Sequence, residues 1–478
     1  MDFKNKRVHV VGIAGQEGRA VFEYLLKLEV SDLHGHENAP KKDFEKRFLT
    51  YSDAYTKQEA KAQVKKFLTS SAKLHFQDDY LKGIKDGDLV IVPQSYFRYR
   101  ENQPLIKKAE EGEIVLKQAI QLLFEICPCP IIGVTGTVGK STLTAAIAHI
   151  LRKAGKKVYF SGNDREDRWD LVALSKMPKE GLAVLEISHR HLMDLKKSPH
   201  VSVLNNIYPH HLDDVGTFEN YIKVKKGIFS HQRKKDFAVV NDELIENGLV
   251  KKSEVKGKLL TFGLKGKSDG FVKNNALHLI KEGKEVKIAA ISSLPLMGEH
   301  NIKNFLAVVL ASCAVGVSPE EIKRGLLSFK GLRFRQEYLG EFAGRKIYND
   351  GKSADPVATV EAVKSIPRID LLLLGGIREG YKKGDFKDLA DEVAAKKIEK
   401  IIVFGKSGRE IYDELRKDLR EEKIFKVGTL KEGVRLTFEI SQKGETIVFS
   451  PACQSFDEFR DYRQRAEEFE ELISLWDK

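Results

Sequence analysis

Apolar stretches of strand length alternate with amphipathic stretches of helix length along the whole chain. Arg7-Val-His-Val-Val-Gly-Ile reads as a strand running into glycines, and a helix is expected from about Gly18 to Leu28. Asp88-Leu-Val-Ile-Val-Pro reads as another strand. Residues 113–127 read as a short strand followed by an amphipathic helix. Pro128-Cys-Pro130 then punctuates the chain and marks a boundary.

A second segment opens with the strand Ile131-Ile-Gly-Val-Thr, a glycine turn and an Ala-rich helix over Ser141–Ala154. Strands are expected at Lys157–Phe160, Leu182–Ile187 and Val201–Leu204. Strands alternating with helices predict a mostly parallel sheet with both faces covered. Between about Lys256 and Leu294 the texture changes to short alternating strands with turns, which predicts an antiparallel patch. A helix is expected from Asn301 to Val315. A third segment follows Gly331, with strands at Arg345–Tyr348, Asp370–Leu374, Lys400–Val403 and Thr446–Phe449. Its helices are expected to start near Pro356, Phe386, Gly408 and Phe456. The fold class is therefore α/β, in three domains over 1–129, 130–331 and 332–478.

Composition narrows the classes. The 478 residues are 42% hydrophobic and 31% charged, which supports packed cores. No apolar run reaches membrane-spanning length, and the N-terminus carries no signal-peptide pattern, so a soluble cytoplasmic protein without membrane insertion is expected. Four cysteines are too few for a disulfide framework. Cys127-Pro-Cys129 lacks Cys-x-x-Cys spacing, and Cys313 lies in an apolar helical run. Lys and Arg total 81 against 69 Asp and Glu, a formal net charge of +12. The basic residues are interleaved with acids, which describes a solvated surface better than a nucleic-acid stripe.

The most specific motif is Gly133-Val-Thr-Gly136-Thr137-Val138-Gly139-Lys140-Ser141-Thr142, between a strand and a helix. Glycines let backbone N–H groups converge on phosphate oxygens, and the helix N-terminus adds positive potential. Lys140 would reach the outer phosphates, and Ser141 or Thr142 would ligate Mg²⁺. The standard first glycine is absent, since that place is Val134, so this is a variant loop. No Asn-Lys-x-Asp guanine motif is found, which favours ATP over GTP.

A second cluster, Gly12-Ile-Ala-Gly15-Gln-Glu-Gly18, is Gly-x-x-Gly-x-x-Gly and fits a diphosphate site or tight packing better than a nicotinamide site. Asp32 or Glu37 could meet a ribose. Glu186 ends a strand and is placed to hold Mg²⁺ at a carboxyl edge. On residue chemistry, His211 reads equally as cap or ligand, and Lys225 reads as part of a solvated helix face.

These motifs, taken in order, resemble the Mur ligases. The phosphate loop, Leu185-Glu-Ile-Ser188, Asn206-Ile-x-x-x-His211-Leu-Asp213 and Tyr221-x-x-x-Lys225-x-x-x-Phe229 carry the resemblance. Gly298-Glu-His-Asn301, Gly331-Leu-Arg-Phe-Arg335 and Asn349-Asp350-Gly-Lys352 extend it. Ser450-Pro-Ala-Cys-Gln-Ser455-Phe456 is similar to the D-glutamate-adding members. Likeness is weakest from about Pro40 to Lys85.

The resemblance implies an ATP-dependent amide ligase that joins D-glutamate to UDP-N-acetylmuramoyl-L-alanine through an acyl phosphate, in cytoplasmic peptidoglycan precursor synthesis. It implies that Ser141, Glu186, His211 and Lys225 serve two Mg²⁺ ions, with Lys225 carbamylated. It implies that Asn301, Arg335 and Asp350 join the phosphate loop on ATP. Gly15, Asn163 and Ser188 would meet the nucleotide substrate, and Lys352, Ser455 and Phe456 the amino acid. Lys140, Glu186, His211, Lys225 and Lys352 would be catalytic. A monomer without a nucleic-acid partner is expected.

Departures from the family pattern are His189-Arg190-His191, His210, Phe334, Ala354 and Ala466. Ala354 bears most on the acceptor, because a hydroxyl is expected there. Competing readings are a ligase with another acceptor, a folylpolyglutamate or cyanophycin-type ligase, and a P-loop NTPase that binds nucleic acid.

Overall fold

The computed structural model describes all residues except 1, 2, 4, 5, 51–54, 163–167, 210, 211, 266, 267, 297, 381, 383, 477 and 478, and describes no side chain at 50, 212 and 213. The chain divides into two compact units, one of residues 1–293 with 303–329, the other of 294–302 with 330–478.

The first unit holds two sheets. One comprises β1 (Arg7–Val11), β2 (Asp32–Glu37), β3 (Lys73–Phe76), β4 (Leu89–Val92) and β5 (Val115–Gln118). Its order is β3-β2-β1-β4-β5 and every pairing is parallel. The other comprises β6 (Ile131–Thr135), β7 (Val158–Ser161), β8 (Leu182–Glu186), β9 (Val201–Leu204), β10 (Phe237–Asn241), β11 (Lys258–Phe262), β12 (Gly270–Lys273), β13 (Ala276–Lys281) and β14 (Lys284–Ala290). Its order is β14-β13-β12-β11-β10-β9-β6-β8-β7. Pairing is parallel from β7 to β12, and β12–β13–β14 form the expected antiparallel patch. Strand β6 lies between β9 and β8, so the phosphate loop that follows it emerges at the carboxyl edge among the ends of both neighbours.

The second unit holds β15 (Glu337–Phe342), β16 (Arg345–Asn349), β17 (Leu371–Gly375), β18 (Lys400–Phe404), β19 (Ile424–Lys426) and β20 (Thr446–Ala452), ordered β15-β16-β20-β17-β18-β19. Only β15 runs antiparallel. The run Leu371–Leu374 is wholly buried. Each such leucine contributes about 1.5–3 kcal/mol of burial free energy, as suits a strand lying between β20 and β18. Helices Pro356–Ser365 and Leu430–Ile440 each start at a side-chain cap, Asp355 and Thr429.

Several elements differ from expectation. The last helix begins at Tyr462, not near Phe456, because Asp461 caps it and accepts from the Gln464 N–H. Strand β2 escapes the periodicity because its polar residues point inward: His34, His36 and Glu37 are buried. His9 Nδ1 lies 2.8 Å from His36 Nε2, and His34 Nδ1 lies 2.9 Å from His75 Nε2. Asp88 and Asp32 close the ends of this imidazole patch, at 3.0 Å from His9 and 3.1 Å from His34. No helix among the described residues is long and apolar enough to cross a membrane.

Candidate active site

The phosphate loop bridges β6 and the helix Lys140–Lys153. Gly139 caps that helix with φ of +81°. A Cβ there would come within 2.8 Å of Asn304 Oδ1 and 2.9 Å of Asn205 Nδ2, so glycine is required twice over. Asn205 donates to Asn304 Oδ1 at 2.8 Å and to the Val138 carbonyl at 3.2 Å. Asn206 Oδ1 accepts from the N–H groups of Thr137 and Val138 at 2.9 and 3.0 Å. Lys140 Nζ donates to the Thr137 carbonyl at 2.9 Å. The asparagines of the β9 end and Asn304 therefore shape this loop. All three lie within sequence motifs, but the motifs alone assign none of them an individual role. Their signal was the pair of asparagines at a strand end beside a glycine loop.

Lys225 corrects an expectation. It lies on the helix Phe218–Lys226, one turn after Tyr221, and these two form its buried face. The side chain is 1% exposed, not solvated. Nζ donates to the Gly136 carbonyl at 2.8 Å and to Thr135 Oγ1 at 3.0 Å, directly beneath the phosphate loop. Burial, reinforced by the nearby Lys140 charge and only partly opposed by Glu186, pushes the amine well below the ordinary lysine range.

Glu186 ends β8 and is 5% exposed. Its Oε2 is buried without a hydrogen-bond partner among the described residues. An unsatisfied carboxylate oxygen at the end of the strand paired with β6 is a hard donor suited to Mg²⁺. An ammonium such as that of Lys225 would suit such an ion only if its nitrogen carried a carboxylate. Among the described residues no group of three or more His, Cys, Asp or Glu side chains forms a metal cage. His211 and Asn163 lie outside the described residues. Ser141 and Thr142 stand half-buried in the first turn of the loop helix.

The departures after Glu186 form a connected group. His189 Nε2 lies 2.8 Å from Asp214 Oδ2, and Arg190 Nη2 donates to the same oxygen at 2.5 Å. Burial acts to raise the Asp214 carboxyl, but its bonds to His189 and Arg190 outweigh this and hold it below the usual range. Asp214, Arg190 and Arg98 line a cavity of about 300 Å³ with Gln94, Phe97 and Met193. Ser188 caps the short helix His189–Leu192.

At the first sheet, Gly15 caps the helix Gln16–Lys27, and Gly12 has φ of +71°. A Cβ on Gly18 would lie 2.3 Å from the Gly12 carbonyl, so this cluster packs helix against loop tightly. Glu37 ends β2 at the loop side, where Oε2 accepts from the Ala14 N–H at 3.0 Å. Asp32 starts the same strand, at its opposite end, paired with Arg7 at 2.9 Å. Of the two acids weighed for a ribose contact, only Glu37 stands at the glycine loop.

In the second unit, Asp350 is buried and accepts from Ser353 Oγ and Ser450 Oγ, each at 2.6 Å, and from the Gln336 N–H at 3.0 Å. Burial pushes its carboxyl up to about 6 despite these bonds. Arg335 is exposed, and Phe334 beside it is buried with φ of +62°. Burial, with help from Arg463, lowers Lys352 to about 8, and its Nζ lies 5.3 Å from the Tyr462 ring centre. Buried Arg465 donates to the Gly351 carbonyl at 3.2 Å and the Gly375 carbonyl at 3.4 Å, tying the loops after β16 and β17. Ser455 is buried after β20, whereas Phe456 is 57% exposed. Ala354 offers no hydroxyl. Asn301 lies buried in the first turn of the helix Glu299–Ala314.

Residues 134–312 match the family model of the Mur ligase middle domain. The UDP-N-acetylmuramoylalanine–D-glutamate ligase of Caldanaerobacter subterraneus is 30% identical over 482 residues, covering 99% of each chain. Among solved structures, the UDP-N-acetylmuramate–alanine ligase of Thermotoga maritima aligns with a TM-score of 0.57 at 18% identity, over 98% of this chain and 99% of that one. The MurF ligase of Thermotoga maritima, solved in complex with ADP, aligns with a TM-score of 0.55 at 18% identity, over 82% and 96%. A phosphate loop with a lysine buried beneath it, a matching middle domain and a relative alike over its full length place this chain in the Mur ligase family, with the UDP-N-acetylmuramoylalanine–D-glutamate ligases.

Proposed function

We propose that the protein joins D-glutamate to UDP-N-acetylmuramoyl-L-alanine at the expense of ATP, through an acyl phosphate. The observation that supports this most is Lys225, buried under the phosphate loop with its amine shifted well below the ordinary lysine range. A neutral amine is the form that attacks CO₂: the N–C bond forms, one proton leaves, and a carbamate oxygen pair results. The residue then changes from a cation into an oxygen donor, which the chemistry of a hard divalent ion requires. Bound Mg²⁺ would offset negative charge on the phosphates and the substrate carboxylate; Glu186, Ser141, carbamylated Lys225 and, by resemblance, His211 would hold two such ions.

The remaining steps are positioning and electrostatics. Thr137, Val138 and Gly139 present backbone N–H groups, and Gly136 admits close approach. Lys140 swings from the Thr137 carbonyl to the outer phosphates. The terminal carboxylate attacks the γ-phosphorus and ADP leaves. The amine of D-glutamate then attacks the acyl carbon, an amide forms, and phosphate leaves with the bond electrons. By resemblance, Gly15, Asn163 and Ser188 hold the nucleotide substrate, while Asn301, Arg335, Asp350 and Thr142 hold ATP. Lys352, Ser455 and Phe456 grip the acceptor. With Ala354 in place of a hydroxyl, the acceptor carboxylate relies more on Lys352.

Domain limits at 1–129, 130–331 and 332–478, a monomeric state and a cytoplasmic location complete the reading. Phosphate release tests it: UDP-N-acetylmuramoyl-L-alanine, ATP and Mg²⁺ are mixed with D-Glu, L-Glu, L-Lys or glycine in turn. D-Glu should stimulate release most. Release stimulated by no amino acid sinks the ligase reading, and preference for another amino acid reassigns the acceptor.

A further inference from the structure

A buried hydrogen-bonded circuit joins the carboxyl ends of the first two sheets. Glu17, in the first turn after the N-terminal glycine loop, is 6% exposed. Its Oε2 accepts from the Gln94 N–H at 2.9 Å, and its Oε1 lies 3.1 Å from His191 Nε2. Gln94 follows β4, and its Oε1 accepts from Ser188 Oγ at 2.6 Å. Ser188 Oγ in turn accepts from the His191 N–H at 3.2 Å, while the Ser188 N–H points at His191 Nδ1 at 3.3 Å.

These contacts assign the tautomer of a fully buried ring. Nδ1 must accept from a backbone N–H, so Nε2 carries the proton and donates to Glu17. Both ring nitrogens are thereby used. Three segments distant in sequence, the β1 loop, the β4 end and the β8 end, are thereby joined: Ser188 Oγ bonds Gln94 and the His191 N–H, and Glu17 bonds Gln94 and the His191 ring. No part of this circuit is needed to build either sheet, since all of it lies beyond the strand ends. It fixes Ser188 against the very loop that carries Gly15.

We propose that Glu17, Gln94 and His191 are positioning residues that register the N-terminal glycine loop against Ser188, so that both ends of the nucleotide substrate are gripped at a fixed separation. This rests on the proposed function, in which Gly15 and Ser188 contact that substrate. The circuit acts on one substrate out of three, and that selectivity separates it from a general structural role.

The experiment uses the full chain with His191→Ala, His191→Gln, Gln94→Ala, Ser188→Ala and the Ser188→Ala/His191→Ala pair. Steady-state kinetics give KM for each substrate, and calorimetry gives Kd for UDP-N-acetylmuramoyl-L-alanine without ATP. His191→Ala and Gln94→Ala should raise KM and Kd for the nucleotide substrate about tenfold, with KM for ATP and D-glutamate changed by less than about twofold. His191→Gln, whose amide can accept from the Ser188 N–H and donate to Glu17, should recover to within about threefold of the parent. The double variant should lose no more than Ser188→Ala alone. Unchanged nucleotide KM in a folded variant overturns the proposal, as do equal losses for all three substrates or additive losses in the pair. If His191→Ala does not fold, His191→Gln and Gln94→Ala decide the matter. If the parent protein itself does not bind the nucleotide substrate, the proposed function fails and takes this inference with it.

Discussion

Lys225 Nζ lies 3.0 Å from Thr135 Oγ1, on the strand that feeds the phosphate loop. Thr135 Oγ1 donates onward to the Ile187 carbonyl at 2.7 Å, so the threonine hydroxyl is available to Lys225 only as an acceptor. The lysine is therefore held by two acceptors in a buried pocket. Lys225→Arg is expected to cost stability as well as activity, since five N–H donors replace one amine. Lys225→Ala should keep the melting temperature within a few degrees yet lower turnover by at least about a hundredfold. Incubation with ¹³C-labelled CO₂ should give a carbamate carbon signal in the parent that disappears in Lys225→Ala. A fully active Lys225→Ala variant removes the carbamate role.

Gly139 offers a sharper structural test. Its backbone is left-handed, and a Cβ meets both Asn205 and Asn304. Gly139→Ala is expected to destabilise the first unit by about 1–3 kcal/mol and to weaken ATP binding. Chemical denaturation and nucleotide titration read the two effects separately.

Lys352 predicts a pH dependence. Its free-protein value of about 8 means the ammonium predominates below that pH and is lost above it. If this ammonium grips the acceptor carboxylate, KM for D-glutamate should rise as pH passes upward through about 8. Lys352→Arg should flatten that limb, because guanidinium does not titrate there. A parent KM that is flat from pH 7 to 9 argues against this grip.

Asp350 predicts a pH dependence of stability with the opposite cause. Its folded value, about 6, lies above the ordinary 3.8. Between these values the folded protein binds more protons than the unfolded chain, so stability falls as pH rises from about 4 to 6. Asp350→Asn removes this loss. The melting temperature of the variant minus that of the parent should therefore become more positive across the same interval.

Much of the fold was legible because buried strands such as Leu371–Leu374 are apolar on both faces. The phosphate loop was legible because its glycines and Lys140 sit between a strand and a helix. Lys225 alone was misleading: a lysine among lysines on an amphipathic helix looks solvated, and only the tertiary approach of that helix to the Gly136 carbonyl buries it. Strand β2 was only weakly marked for the complementary reason, since Asp-Leu-His-Gly-His-Glu looks polar but faces inward. The asparagine frame of the loop joins the neighbours Asn205 and Asn206 to Asn304, which no local pattern connects to them. The Glu17–His191 contact likewise joins two sheets, and only the folded chain displays it.

That inward-facing β2 has a consequence for how the protein tolerates acid. Burial lowers His9 to about 4 and also lowers His34, His36 and His75, with neighbouring imidazoles adding to the effect at His9, His36 and His75. At His9 and His34, Asp88 and Asp32 pull the other way without overcoming it. The unfolded chain takes up these protons near 6.5 while the folded sheet refuses them, so the cluster draws stability out of the protein as pH falls from about 6.5 toward 4. The N-terminal layer should thus yield first on acidification, exposing its amides to solvent exchange before those of the phosphate-loop sheet. Hydrogen exchange at pH 5 and at pH 7, read strand by strand, would display that order of failure.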